Sequence, residues 1–171
     1  MEIQQEKCYS RIMIKTIVSD FSRVILFPKD TAYSGELNAL HKDLTDQKDY
    51  KIFNYFYLND ELLSYYAKIK PRINIHIFTM GTIQNTPEIL KKLSLIVDKI
   101  FTVREIGFQK NNPESYVILA IKLKIKPEEI LFIDDTYENI KSASLAGYKV
   151  IHYKSASQTI QKITELFASK I

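Results

Sequence analysis

Five short runs rich in Val, Ile and Phe punctuate the chain: residues 15–19 (KTIVS), 73–79 (INIHIFT), 99–103 (KIFTV), 130–133 (ILFI) and 149–153 (KVIHY). Helical stretches separate them. Short apolar runs alternating with helices predict a parallel sheet covered on both faces. The helix signals are specific. Thr86-Pro87-Glu88 gives an N-cap, a proline at the first helical position and an acid in the first turn, and apolar residues recur at Ile89, Leu90, Leu93 and Val97. Asn112-Pro113-Glu114 repeats that start, followed by Tyr116, Val117, Ala120, Ile121 and Leu123. Gly147 is placed to end the helix that begins after Thr136, as a left-handed glycine does. Ile160, Ile163, Leu166 and Phe167 form the apolar stripe of a last helix.

Residues 31–70 break the alternation. They hold no clear strand, are rich in aromatics (Tyr50, Phe53, Tyr55, Phe56, Tyr57, Tyr65, Tyr66) and read as two or three short helices. The expectation is a core domain made of residues 1–30 and 71–171, with 31–70 as a small helical insert. The other reading is an ordinary long crossover connection. The aromatics fit a local mini-core better than a base-stacking surface.

Composition narrows the function classes. A chain of 171 residues suits one domain with a small insert. With 46% hydrophobic and 26% charged residues it can bury a core. No apolar run approaches the ~18 residues needed to cross a bilayer, and the opening MEIQQEKCYS lacks an apolar stretch of the secretory kind. One cysteine, Cys8, excludes an internal disulfide and a cysteine-built zinc site. The expected location is a reducing cytoplasm. The net charge of +4 comes from 24 Lys and Arg spread over the whole chain, a solvated basic surface rather than a nucleic-acid groove. Neither nucleic acid nor membrane is expected as a partner.

In an open parallel sheet the ligand crevice lies beyond the carboxyl ends of the strands. The first run is followed by Asp20, the second ends in Thr79, and the fourth is followed by Asp134-Asp135. If those strands are neighbours, three acids meet at one point, and a hard cation such as Mg2+ is the usual remedy for their repulsion. His76 and His152 fall inside predicted strands as core or sheet-face residues, and His41 falls in the insert at the surface. No Ser-His-Asp arrangement can be assigned.

In order and spacing the chain resembles the haloacid dehalogenase-like superfamily of hydrolases over residues 15–154. A strand followed by Asp-x-Asp corresponds to IVSDFSRVIL, a strand ending in Ser or Thr to IHIFTMGT, a Lys before a helix to GFQKNNPESY, and an acid pair after a strand to ILFIDDTYENIKSASLAGYKVIHY. The order most resembles the subgroup with a small helical cap after the first motif. The resemblance implies a three-layer α/β sandwich with a five-stranded Rossmann-like parallel sheet. For Asp20, Thr79 and Asp134-Asp135 to converge, strands two and four must flank strand one, which gives the order fifth, fourth, first, second, third. It implies Asp20 as the nucleophile that takes a phosphoryl group and also ligates Mg2+, and the Ser22 carbonyl and Asp135 as further ligands. It implies Thr79 as a donor to a phosphate oxygen, Lys110 as the neutralising cation, and Asp134 as the acid that ligates or steers Lys110 and water. Ser22, Arg23 and Met80 would face the substrate beside Thr79 and Lys110. A small phosphorylated molecule or a phosphoprotein would be the partner.

One departure matters. The second acid of the first motif, which serves the family as general acid, is absent; Ser22 stands there, and a serine hydroxyl is a poor proton donor near neutrality. General acid-base help is worth about 10² to 10⁴ in rate. Arg23 occupies a place where glycine is common, as an anion binder or a solvated turn residue. Met80 occupies one where many relatives have Asn. Three readings follow: a slow or specialised Mg2+-dependent phosphatase, a weakened phosphate-binding or protein-interaction module, and a carbon–halogen hydrolase. The retained acid pair disfavours the last.

Overall fold

The computed structural model describes residues 13–168. Cys8 and the opening stretch read above lie outside the described residues. In chain order the elements are β1 (Thr16–Ser19), β2 (Leu26–Pro28), α1 (Leu37–Thr45), α2 (Ile52–Tyr55), β3 (Phe56–Leu58), α3 (Asp60–Ile69), β4 (Asn74–Thr79), α4 (Pro87–Leu93), β5 (Lys99–Thr102), α5 (Val103–Ile106), α6 (Pro113–Leu123), β6 (Ile130–Asp134), α7 (Tyr137–Leu145), β7 (Lys149–His152) and α8 (Ala156–Ala168). The main sheet has five strands in the order β5-β4-β1-β6-β7, all parallel. This is the expected order. No helix among the described residues is long and apolar enough to cross a membrane.

The two-residue period of the strands divides the core. Ile17, Ile75, Ile77, Leu131 and Ile133 share one face with Leu62 and Tyr66 of α3, Ile89 and Leu93 of α4, and Ile163 of α8. Val18, Phe78, Ile130 and Phe132 share the other with Tyr116, Leu119 and Ala120 of α6 and Ile140 and Ala143 of α7. Register aligns them: Ile17 lies between Ile75 and Leu131, and Val18 beside Phe132. Strands buried on both faces are apolar at most positions, with Thr16, Ser19 and His76 among the buried exceptions, so the run pattern was legible.

Three local features differ from the sequence reading. Residues 31–70 do contain a strand, β3, which pairs antiparallel with β2; Leu26 faces Leu58, and Phe27 stacks on Tyr57 at 5.6 Å. A three-residue strand has too few positions to show a period, and Phe56 and Leu58, both buried, serve a helix stripe as well as a strand face. Thr86 precedes α4 but does not cap it: its hydroxyl donates to the Ile83 carbonyl at 2.7 Å, closing a 3-10 turn. Val103 leaves the strand run and opens α5, whose capping box is built by Thr102 and Glu105. The Asn112 cap does form, its side chain accepting from the Glu114 N–H at 3.0 Å. Gly147 ends α7 at φ 92°, where a Cβ would stand 3.3 Å from that of Pro127.

The aromatics of the 31–70 stretch build core. Phe56 and Tyr66 are fully buried, and Tyr50, Phe53 and Tyr65 pack against the same cluster. Helix α3 lies beside α8, with the Tyr65 and Thr164 hydroxyls 3.0 Å apart. Just before α3, Asn59 joins three segments. Its Nδ2 donates to the Val24 carbonyl at 2.9 Å and the Tyr153 hydroxyl at 3.0 Å, and its Oδ1 accepts from the Leu62 N–H at 3.2 Å. Its own N–H donates to the Ile25 carbonyl at 2.7 Å. A buried amide with three side-chain hydrogen bonds fixes the loop after β1 against the end of β7. Asn59→Ala removes a helix cap and strands a carbonyl and a hydroxyl. The expected loss is about 2–3 kcal/mol, read as a fall in Tm of roughly 5–10 °C in thermal unfolding.

Candidate functional site

The three central strands β4, β1 and β6 end at one edge of the sheet. Asp20 follows β1, Thr79 ends β4, and Asp134 ends β6 with Asp135 next. Pairing of Ser19 with both Ile77 and Ile133 brings these ends level. The Asp20 N–H donates to the Ile133 carbonyl at 2.7 Å, so the ladder runs on through the acid. One carboxylate oxygen each from Asp20, Asp134 and Asp135 lies within 4.8 Å of the others.

Lys110 enters from the loop before α6. That loop is held on both sides: the Ser115 hydroxyl donates to the Gln109 carbonyl, and the Ser142 hydroxyl of α7 donates to the Asn111 carbonyl at 2.8 Å. Its ammonium reaches Asp20 Oδ1 at 2.7 Å and Asp134 Oδ2 at 2.5 Å, and the side chain is 2% exposed. The rings of Phe78 and Phe132 flank it at 5.7 and 5.6 Å, a cation–π setting in a desolvated place. Asp134 is fully buried and also accepts from the Thr136 N–H at 2.8 Å and from Asn139 Nδ2 at 3.2 Å on each oxygen.

One ammonium pairs with two of three clustered carboxylates, and their protonation reflects it. Burial pushes the Asp20 carboxyl up to about 7, against the pull of Lys110 and with the push of Asp134. Burial, then the charge of Asp134, also raises Asp135. Burial would lower the Lys110 ammonium, but Asp20 and Asp134 together outweigh it and raise the group above its ordinary value. The site therefore holds more negative charge than Lys110 balances. Its all-oxygen donors fit a hard divalent cation. Ser22 lines the same cleft, and no backbone N–H donates to its carbonyl among the described residues.

A cleft of about 280 Å³ opens over these groups. Asp20, Thr79, Lys110 and Asp135 line it, with Ser22, Arg23 and Met80 at its sides. Residues 34–38 of the 31–70 stretch complete the lining. Arg23 is neither a free cation nor a plain turn residue. It sits at φ 60°, and its Nη2 donates to the carbonyls of Tyr33 at 3.1 Å and Gly35 at 2.8 Å. Met80 is well exposed. Thr79 is buried and lines the cleft, and its hydroxyl has no hydrogen-bond partner among the described residues.

Two residues escaped the sequence reading of the site. Asn139, in α7, holds both oxygens of Asp134; it was visible in the motif but carried no signal beyond its place in the first turns of a helix after an acid pair. Asn38, in α1, accepts from the N–H groups of Thr82 and Ile83 at 2.9 and 3.0 Å. A Cβ at Gly81 would meet the Asn38 amide at 2.0 Å, so a larger residue there would push that side chain off the N–H groups it accepts from, where α1 meets the turn after Thr79. No local pattern announces such a contact. The histidines stay outside the cleft: His76 is buried and its imidazole held below its ordinary value by that burial, His41 pairs with the Tyr50 hydroxyl at 2.8 Å, and His152 Nε2 meets the Asp135 carbonyl at 2.9 Å.

Removing the ammonium exposes the charge imbalance. Lys110→Met leaves buried carboxylates unpaired, at a cost of about 3–5 kcal/mol. The sign with pH follows from the raised carboxyl groups. The unfolded chain loses the Asp20 proton near its ordinary value of 3.8, whereas the folded chain keeps it until about 7, so stability falls between those values and stays low above them. Chemical denaturation of Lys110→Met should show the largest deficit against wild type at pH 8 and a smaller one at pH 5.

Comparison with known proteins agrees with the geometry. The profile of the haloacid dehalogenase-like hydrolases matches residues 14–147. Enolase-phosphatase E1 of Persephonella marina is 45% identical over 42 residues, which is 25% of this chain and only 18% of that protein. A subfamily IA hydrolase of the same superfamily from Geobacter sulfurreducens superposes with a TM-score of 0.60 at 14% identity, over 83% of this chain and 88% of that one. An enzyme of the family from Bacteroides thetaiotaomicron, solved with magnesium and inorganic phosphate, superposes with a TM-score of 0.56 at 16% identity, over 82% and 94%. The extent of the profile match and the shared fold lead to one assignment: this chain belongs to the haloacid dehalogenase-like hydrolase family.

Proposed function

We propose that the protein is a Mg2+-dependent phosphatase that acts on a phosphate monoester through an aspartyl-phosphate on Asp20. The observation that carries this reading is the Lys110 ammonium lodged between Asp20 and Asp134, with Asp135 alongside and Thr79 at the same sheet edge. Asp20, Asp135 and the Ser22 carbonyl would hold Mg2+, which supplies charge neutralisation at the phosphoryl oxygens when bound. The superposed Bacteroides enzyme, solved with magnesium and phosphate, supports this choice. The Thr79 hydroxyl donates to a phosphoryl oxygen, and Lys110 neutralises a second while pulling the Asp20 carboxyl toward its ionised form. A carboxylate oxygen of Asp20 attacks phosphorus as the bond to the leaving alkoxide breaks. Water then attacks the acyl phosphate, releasing phosphate and restoring Asp20. Positioning and charge supply most of the catalysis in such a transfer. Asp134, bound by Lys110, Thr136 and Asn139, keeps Lys110 aimed. Residues 31–70 act as a small cap, of which residues 34–38 roof the cleft while α3 packs with the core.

Ser22 makes the activity slow or specialised. With no carboxyl in its place, the leaving alkoxide takes its proton from water or from the substrate. Ser22 also favours a second reading, a module that binds phosphate without turning it over. Two experiments decide. A panel of phosphate monoesters should be hydrolysed with Mg2+ and not with chelator, and Asp20→Asn should abolish turnover; activity that survives Asp20→Asn places the chemistry elsewhere. Ser22→Asp should raise turnover of an alkyl phosphate by on the order of 10² or more, and that of an aryl phosphate, whose leaving group needs little protonation, much less. Arg23→Gly is made in parallel, because the guanidinium could pair with the new carboxylate. No gain on either ester while Mg2+ still binds would favour the binding module.

A further inference from the structure

We propose that Arg23 is a subsite for a carboxylate on the substrate, so that the favoured esters carry a carboxylate close to the phosphate. The inference rests on the phosphatase reading and deepens it. Two observations support it. First, Arg23 lies at φ 60°, in the left-handed region, held there by its N–H donating to the Leu26 carbonyl at 2.7 Å and by the Leu26 N–H donating to the Phe21 carbonyl at 2.8 Å. For a residue with a Cβ this conformation is sterically unfavourable, and glycine would avoid the crowding. A large cation is kept at a strained position beside the proposed nucleophile, and such strain concentrates at functional sites.

Second, the guanidinium is anchored and still has unused donors. Both contacts of its Nη2, to the Tyr33 and Gly35 carbonyls, are to neutral acceptors on the roof of the cleft. Neither Nε nor Nη1 has a hydrogen-bond partner, and no carboxylate pairs with Arg23, among the described residues. Arg23 lines the cleft with Asp20 and Lys110. A fixed guanidinium with a free edge is preorganised for the two oxygens of a carboxylate. Because Arg23 stands three residues from Asp20 and lines the same cleft, a carboxylate that it binds lies close to the phosphate. Glu36 lines the same cleft and is exposed, so it opposes an anion there; its removal should help.

The test is calorimetry with Mg2+ and two probes that cannot be hydrolysed, phosphonoacetate and its neutral amide. Wild type should bind the carboxylate about 10- to 100-fold more tightly than the amide. Arg23→Gln should bring that ratio near one, Arg23→Lys should recover part of it, and Glu36→Gln should raise it a few-fold. A wild-type ratio near one overturns the subsite even if no Arg23 variant folds, and so does a ratio unchanged by Arg23→Gln. If neither probe nor inorganic phosphate binds, the phosphate site itself fails and this inference falls with it. Binding of both probes with equal affinity removes the Arg23 subsite alone.

Discussion

The protein depends on one ammonium among acids. Lys110 lies 2.7 Å from Asp20 and 2.5 Å from Asp134, almost out of reach of water. Neither the lysine nor the carboxylates are tolerable there alone, since an unpaired charge away from water costs several kcal/mol. Their mutual attraction therefore constrains the surroundings. Strands β1 and β6 must be neighbours, the loop before α6 must reach over their ends, and α7 must start where Thr136 and Asn139 can hold Asp134. The hydrogen bonds from Ser115 and Ser142 to the Lys110 loop serve that requirement.

The balance is deliberately incomplete in charge. Lys110 answers two carboxylates, and Asp135 stands beside them with its own carboxyl raised by burial and by Asp134. A site with surplus negative charge and an open cleft above it holds free energy that a divalent cation or a phosphoryl group with its cation can release. The aromatic rings beside Lys110 exclude water without offering a competing acceptor, so the ammonium stays directed at the acids.

The 31–70 stretch is joined to this site by polar contacts at its edge and by apolar packing elsewhere. Asn38 seats α1 on the turn after Thr79, Gly81 leaves room for it, and Arg23 ties the loop after β1 to the carbonyls of Tyr33 and Gly35. Leu37, Leu44, Ile52 and Phe56 are buried in the same cluster as the sheet residues. The roof of the cleft is thus built into the core rather than hung over it.

Strand positions, helix starts and the acids at strand ends were legible in the sequence because each has a local physical cause. A doubly buried strand is mostly apolar, a Pro at the first helical turn marks a helix start, and a carboxylate after a strand stands at the crevice. The sheet order followed from requiring the acids to meet. The rest depended on contacts between residues far apart in the chain. The strand β3 is too short to show a period, and its partner β2 lies some thirty residues earlier. Thr86 looks like a cap but donates to Ile83, because a 3-10 turn precedes α4. Arg23 read equally well as anion binder or solvated turn residue; only the fold brings the Tyr33 and Gly35 carbonyls to its guanidinium. By itself the sequence determined which groups could do chemistry and on which edge of the sheet they stand. The tertiary structure decided which were paired, which were left with free donors, and what roofs them, because burial and hydrogen-bond partners are set by packing across the chain.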